Sequence, residues 1–167
     1  MTNAIRILGL DPGLRRTGWG VIVVDGARIS HVAHGVISPP DSASFSERLL
    51  ALFEGVAALC ETYAPDEAAI EETFVTANGS STLKLGHARA AAMLAPAKAG
   101  LTVSEYAATV VKKALVGTGG ADKTQVAFMV RRILPACGDA TADAADALAV
   151  AITHANARKM RRLGDAA

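Results

Sequence analysis

The chain has few aromatic residues, two cysteines and no long apolar run, and each shortage excludes a class of protein. Aromatic side chains form 4% of the 167 residues, so a core must be built mainly from Ala, Val, Leu and Ile. Cys60 and Cys137 are too few and too far apart for a disulfide framework or a zinc site, and two buried thiols in a reducing compartment are the simpler interpretation. Every apolar stretch stops well short of the ~20 residues that a membrane-spanning helix needs. Residues 1–10 also lack the order of a signal peptide, so we expect a cytoplasmic protein without membrane contact.

Charge is nearly balanced over the whole chain but unevenly distributed along it. Residues 1–96 hold seven basic and ten acidic side chains, a balance of −3, and residues 97–167 hold ten and six, a balance of +4. An acidic cluster that faces a basic surface suits a metal-dependent enzyme acting on a polyanion. About half of the residues (51%) are apolar and the length is typical of one domain, which excludes a disordered chain.

The order of apolar patterns predicts an α/β domain with a five-stranded mixed sheet flanked by helices. Short apolar runs predict strands at 5–10, 18–24, 28–37, 66–71 and 101–106. Apolar residues at three- and four-residue steps predict helices that begin near positions 44, 80, 109, 122 and 141. A tight turn at Asp25-Gly26 makes the first three strands an antiparallel meander. The later strands alternate with helices, which predicts that strands 1, 4 and 5 are parallel.

The composition of the chain also indicates the domain limits and a candidate dimer interface. We expect residues 1–158 to form a single domain and residues 159–167 to be a basic, flexible tail. Pro96 is predicted to kink or shorten the helix at 80–98, because proline cannot donate a backbone hydrogen bond. The Ala-rich face of that helix is our candidate for a dimer interface.

Four carboxylates stand in apolar surroundings, where a charge is costly unless it is paired or binds a cation. Asp11 and Glu71 end the first and fourth strands, and Asp143 and Asp146 lie three residues apart on one face of the last helix. In open α/β sheets the ligand crevice lies beyond the carboxyl ends of the strands, so the helical pair could join the strand-end pair there. Such a cluster of oxygen ligands suits Mg²⁺ or Mn²⁺. Two such ions can activate a water molecule and stabilise the leaving oxygen when a phosphodiester is hydrolysed.

Each acid also has an ordinary structural interpretation. Asp11 precedes Pro-Gly and could be a turn residue, Glu71 could be a solvated strand end, and Asp143 suits the positive end of its helix. Asp146 is harder to explain in that way. A second hypothesis uses residues 11–20, because a strand, an acid, a Gly-rich turn and a returning strand also form the phosphate-binding hairpin of actin-like and sugar-kinase ATPases. Those enzymes close two domains around the nucleotide, which 167 residues can hardly supply.

The motifs together resemble the RuvC family of Holliday-junction resolvases over nearly the whole chain. The matching segments are 7–20 (ILGLDPGLRRTGWG), 69–78 (AIEETFVTAN), 83–90 (LKLGHARA), 111–123 (VKKALVGTGGADK) and 142–154 (ADAADALAVAITH). The resemblance implies a ribonuclease H-like fold and a homodimeric, Mg²⁺-dependent endonuclease. Such an enzyme nicks two opposed strands of a four-way DNA junction symmetrically, leaving 5′-phosphate ends, in recombination and repair. A branch-migration helicase complex of RuvA and RuvB is the implied partner.

The resemblance also assigns roles to individual residues. It implies that Asp11, Glu71, Asp143 and Asp146 are metal ligands for two ions per site. Lys112 and Lys123 match lysines near the scissile phosphate, and Phe74 matches an aromatic residue that stacks on an unpaired base. We further expect Lys113 and Arg15 to contact DNA.

Two departures from the family pattern bear on these expectations. Pro96 falls where many relatives continue a helix, and Ala107-Ala108-Thr109 replaces a stretch that usually contains Pro and Arg. Neither departure affects the four acids, so we expect activity to be retained. The alternative is a degenerate relative that binds junctions without cutting them.

Overall fold

A computed structural model describes residues 4–72 and 77–164 of the chain. The strands are β1 (Ile5–Asp11), β2 (Thr17–Asp25), β3 (Arg28–Ile37), β4 (Glu67–Glu71) and β5 (Thr102–Tyr106). The α-helices are α1 (Phe45–Tyr63), α2 (Gly79–Lys98), α3 (Ala108–Val116), α4 (Lys123–Ile133) and α5 (Ala142–Gly164), with a 3-10 turn, Pro135–Cys137, between the last two.

The five strands form one mixed sheet in the order β3-β2-β1-β4-β5. The pairs β1–β2 and β2–β3 are antiparallel, whereas β1–β4 and β4–β5 are parallel. The predicted meander and the predicted parallel strands are therefore confirmed. Parallel neighbours need crossover connections, and α1 and α2 supply them.

Helices cover both faces of the sheet, and the alternation of β1 shows how the sequence specifies them. Ile5 and Ile7 belong to the core cluster that contains the apolar residues of α5. Leu8 and Leu10 belong to the cluster on the other side, with residues of α1 and α2. Because successive strand residues point to opposite faces, the near-continuous apolar run of β1 is that of a strand buried on both sides.

Two helix ends differ from the sequence-based expectation. The helix α2 is not cut short: it continues past Pro96 to Lys98, although the proline nitrogen cannot donate a hydrogen bond to the preceding turn. The helix α5 continues beyond Arg158 to Gly164. Lys, Met, Arg and Leu are good helix formers, so the basic segment continues the helix.

The two cysteines are buried free thiols, as predicted. In the described part of the chain, no helix combines the length and the apolar character needed to span a bilayer.

Candidate active site

Two carboxylates end adjacent strands at the same edge of the sheet. Leu10 of β1 pairs with Ile70 of β4 in the parallel register, so the next residues, Asp11 and Glu71, are neighbours. Both lie on the face covered by α5, since they alternate with Leu10 and Ile70, which belong to the opposite core cluster. The strand register alone thus brings the first pair of predicted ligands together.

The helix α5 reaches these acids because glycines of β1 and β2 let it approach very closely. A Cβ on Gly18, which pairs with Asp11, would lie 1.9 Å from the backbone oxygen of Asp143. A Cβ on Gly9 would lie 2.2 Å from the backbone oxygen of Ala147. Any side chain at these two positions would push the helix, and the acids it carries, away from the sheet.

Asp11, Glu71 and Asp146 line one cavity of about 170 Å³, together with Lys112 and Lys123. Its remaining walls are the small or branched apolar residues of three helices: Ala108, Val111, Val126 and Ala149. Carboxylates therefore face cations across a small space with largely apolar walls.

The crowding of these acids shifts their ionisation. Burial, and then the charges of Glu71 and Asp146, raise the pKa of Asp11 from 3.8 to about 7, against a smaller opposing effect of Lys123. Asp143 adds a further small increase to the pKa of Asp11. The pKa of Glu71 is also raised, first by burial and then by Asp146. The pKa of Asp11 therefore responds to the charges of the other three predicted acids, although Asp143, alone of the four, does not line the cavity.

The two helical acids already have cationic partners. Lys123 Nζ lies 3.0 Å from Asp146 Oδ2, and this hydrogen bond is the main reason that the pKa of Lys123 is raised. Arg16 Nε donates to Asp143 Oδ2 over 2.6 Å. The side chains of Lys123 and Arg16 are 79% and 55% exposed, so both pairs are of the solvent-screened kind that contributes little to stability.

The donor set fits a hard divalent cation in chemistry and charge, since it consists of carboxylate oxygens that repel one another. As they stand, no three His, Cys, Asp or Glu side chains in residues 4–72 and 77–164 are arranged to hold an ion. Arg16 and Lys123 engage two of the carboxylates, and a cation would have to take over those contacts.

The remaining predicted DNA-binding residues are less closely placed. Lys113 is exposed on α3 and does not line the cavity, unlike its neighbour Lys112. Arg15 is exposed in the turn between β1 and β2. Phe74 lies outside the described residues. The structure therefore adds nothing to the DNA roles predicted for Arg15, Lys113 and Phe74.

Two arginines that the sequence analysis overlooked position the acids. Arg16, the neighbour of the predicted DNA-binding residue Arg15, contacts Asp143. Arg89 of α2 donates from Nε to the backbone oxygen of Glu71 over 3.2 Å and also pairs with Glu105 of β5. Arg89 belongs to one of the matching family segments, which was the one available signal for it.

The turn between β1 and β2 is closed by its own side chain. The hydroxyl of Thr17, which is fully buried, donates to the carbonyl of Gly13 over 2.8 Å and accepts from its N–H over 3.2 Å. The N–H of Gly13 is therefore engaged within the turn. This is unfavourable for the hypothesis that residues 11–20 cradle a nucleotide phosphate.

The sheet order, with its helices on both faces, defines a ribonuclease H-like domain. The family described as "Crossover junction endodeoxyribonuclease RuvC" matches residues 7–154. The chain belongs to the RuvC family.

Relatives with this name cover nearly the whole chain. The protein of Caulobacter vibrioides is 65% identical over 94% of this chain and 93% of its own length. That of Maricaulis maris is 64% identical over the full length of both. Among solved structures, Thermus thermophilus RuvC in complex with a Holliday junction substrate is 34% identical, with a TM-score of 0.84 over 93% of this chain and 96% of that one. The yeast mitochondrial Holliday junction resolvase Ydc2 shares the fold, with a TM-score of 0.66 at 11% identity.

Proposed function

We propose that the protein is an endonuclease that resolves four-way DNA junctions by paired, symmetric nicks, in homologous recombination and DNA repair. The observation that carries the proposal is the convergence of Asp11, Glu71 and Asp146 on one cavity beside two lysines. Membership of the RuvC family supports the substrate, because a similar structure has been solved with a Holliday junction. The pKa of Asp11 is raised first by burial and then by the charges of Glu71 and Asp146, which is consistent with a site that binds cations.

Asp11, Glu71, Asp143 and Asp146 would hold Mg²⁺, with Mn²⁺ as a substitute and two ions per site. When bound, such ions activate a water molecule and stabilise the leaving oxygen of a phosphodiester. Lys112 and Lys123 would neutralise the scissile phosphate and its transition-state charge, because both line the cavity that contains the acids. The ε-ammonium of Lys123 is mostly exposed and held by one hydrogen bond to Asp146, so it can move to an incoming phosphate.

The proposal includes the assembly and cellular setting expected of this function. A homodimer would present two equivalent sites to a two-fold symmetric junction. Its contact face would include α2, whose Leu83 and Leu94 are 64% and 60% exposed in the isolated chain. The substrate would be delivered by the RuvA and RuvB branch-migration complex in the cytoplasm.

The test is the nicking of a synthetic mobile four-way junction, with a linear duplex of the same sequence as the substrate control. The variants Asp11→Asn and Asp146→Asn should abolish nicking in Mg²⁺ and leave junction binding largely intact. Asp41→Asn is the matched control, because Asp41 is fully exposed and pairs only loosely with Arg48 at 4.0 Å. Full cleavage by both site variants would falsify the ligand assignment.

Two other outcomes would select the alternatives. Junction binding by the unaltered protein with no nicking in Mg²⁺ or Mn²⁺ would indicate a binding module without catalysis. Phosphate release from ATP without nuclease activity would indicate a phosphotransferase that uses residues 11–20.

A further inference from the structure

A partly buried polar chain of hydrogen-bonded side chains links α5 to β4 and β5 outside the acidic cavity. Tyr106 Oη lies 2.9 Å from His154 Nδ1, and His154 Nε2 lies 2.7 Å from Glu67 Oε2. Arg158 Nε donates to the second oxygen of Glu67 over 2.8 Å. None of these four residues lines the cavity, and the nuclease chemistry proposed above does not use them.

The hydrogen bonds of this chain have one consistent direction. Burial lowers the pKa of His154, whose side chain is 2% exposed, so the ring is neutral and carries one proton. Burial alone would raise the pKa of Glu67, but the hydrogen bonds from Arg158 and His154 outweigh it and the net pKa is lowered. An ionised Glu67 only accepts, so His154 Nε2–H donates to it and His154 Nδ1 accepts from the Tyr106 hydroxyl.

The chain of contacts connects elements that carry predicted metal ligands. His154 and Asp146 are both on α5, eight residues apart, which is about 12 Å along a helix. Glu67 begins the strand that ends at Glu71, and Tyr106 pairs with Glu71 in the β4–β5 register. The backbone N–H of Glu72 also donates to the carbonyl of Tyr106 over 2.9 Å.

Contacts with the sheet therefore hold α5 in two places. Its first half rests on the glycines of β1 and β2, a purely steric contact that prevents the helix from approaching further but does not fix its rotation. The polar chain fixes the second half in a directional way, because each hydrogen bond requires a particular orientation of the His154 ring. Rotation or sliding of α5 at His154 would move Asp146 relative to Glu71.

We propose that Tyr106, His154 and Glu67 are positioning residues. They hold the carboxylates of α5 at the distance from Glu71 at which the helical and strand-end carboxylates can bind the same cation. The inference rests on the proposed function for its catalytic consequence. Hydrogen bonds that orient metal ligands from outside typically change metal affinity or activity about 10–100-fold when they are removed. The present contacts act through the helix and strands and not on a ligand directly, so we expect the lower end, about tenfold.

The experiment compares Tyr106→Phe and His154→Gln with the unaltered protein and with Tyr63→Phe. Tyr63 is the other tyrosine of the chain and packs against Trp19 on the opposite face of the sheet. Two readouts are taken below the unfolding temperature of every variant: the Mg²⁺ concentration for half-maximal nicking at saturating junction, and Mn²⁺ binding without DNA, followed by the electron paramagnetic resonance of free Mn²⁺. Thermal unfolding in a chelator measures stability separately.

The expected result is that both variants need about tenfold more Mg²⁺ and bind Mn²⁺ about tenfold more weakly, while junction affinity and the Tyr63→Phe control stay unchanged. Variants that unfold at lower temperature but bind Mn²⁺ like the control would overturn the proposal, because the chain would then serve stability alone. If His154→Gln does not fold, Tyr106→Phe, which removes a single oxygen, decides the question. An unaltered protein that binds Mn²⁺ but cuts no junction would contradict the proposed function, and the Mn²⁺ readout would still test the positioning.

Discussion

Asp11 destabilises the protein whenever it is ionised without a bound cation, and Asp11→Asn is expected to recover that stability. The carboxyl group lies near Glu71 and Asp146 in a half-buried position at the end of β1, and its pKa is raised from 3.8 to about 7. A raised carboxyl pKa means that folding disfavours the ionised form. The resulting loss of stability is absent below the pKa of Asp11 in the unfolded chain. It grows as the pH rises from that value to the pKa in the folded protein, and it is complete above the latter.

The magnitude follows from the size of the shift. One pKa unit corresponds to about 1.36 kcal/mol, so a shift from 3.8 to about 7 amounts to about 4 kcal/mol when the group is fully ionised. At about pH 5 the folded protein still keeps the proton, and the loss falls to less than about 2 kcal/mol. Asn cannot ionise, so the variant should be more stable than the unaltered protein by about 2–4 kcal/mol near pH 8, and by clearly less near pH 5.

The assay is urea unfolding at one protein concentration, in a chelator, near pH 8 and near pH 5. Asp41→Asn is again the control, since that fully exposed side chain should leave the free energy of unfolding unchanged at both values. Addition of Mg²⁺ should then stabilise the unaltered protein more than the variant, because only the former keeps the complete set of carboxylates. Our account of the site's electrostatics is refuted if Asp11→Asn destabilises the chelated protein near pH 8, or if its effect does not depend on pH.

Two further predictions concern the close helix contact and the arginine at the site. Gly18→Ala would place a methyl group 1.9 Å from the backbone oxygen of Asp143, so it should destabilise the protein by about 3 kcal/mol and reduce nicking strongly. Gly86→Ala is the control, because the added methyl group has open space around it in the isolated chain and should not lower the stability. Thermal unfolding and the junction assay check both variants. Equal stability of the two alanine variants would contradict the close approach. Arg16→Gln removes a pair that is half-exposed, worth at most about 1 kcal/mol, so the Mg²⁺ needed for half-maximal nicking should change by less than about fivefold. A larger change would mean that Arg16 acts on the substrate as well.

The fold and the strand-end acids could be predicted because both depend on local patterns. The alternation of strands with helices determines which strands are parallel, and the apolar runs before Asp11 and Glu71 place both acids at strand ends. Their side-by-side position then follows from the order of the parallel strands. The close packing of α5 had a signal as well, since glycines at positions 9 and 18 of otherwise apolar strands are typical of a close backbone approach.

Other features depend on contacts that no local pattern reports. The contact of Arg16 with Asp143 depends on the shape of the turn that Thr17 closes, and nothing in the sequence distinguishes Arg16 from its neighbour Arg15 in this respect. The bond between His154 and Glu67 joins residues 87 positions apart. The continuation of α5 beyond Arg158 is a different case, because a run of charges does not distinguish a flexible tail from an exposed helix and these residues are good helix formers.

The positions of the cations explain how a fold tolerates four carboxylates before any metal binds. Asp143 and Asp146 form ion pairs with Arg16 and Lys123, which offset their negative charge. Asp11 and Glu71 have raised pKa values instead, because burial and the neighbouring acids favour their protonated forms. The helical pair is thus compensated by side chains that can move away at little free-energy cost, and the strand-end pair by protonation. The protein can therefore fold with these acids close together before any ion binds, and what keeps α5 near the strand ends is the backbone contact at Gly18 and the polar chain at His154, neither of which depends on a bound ion.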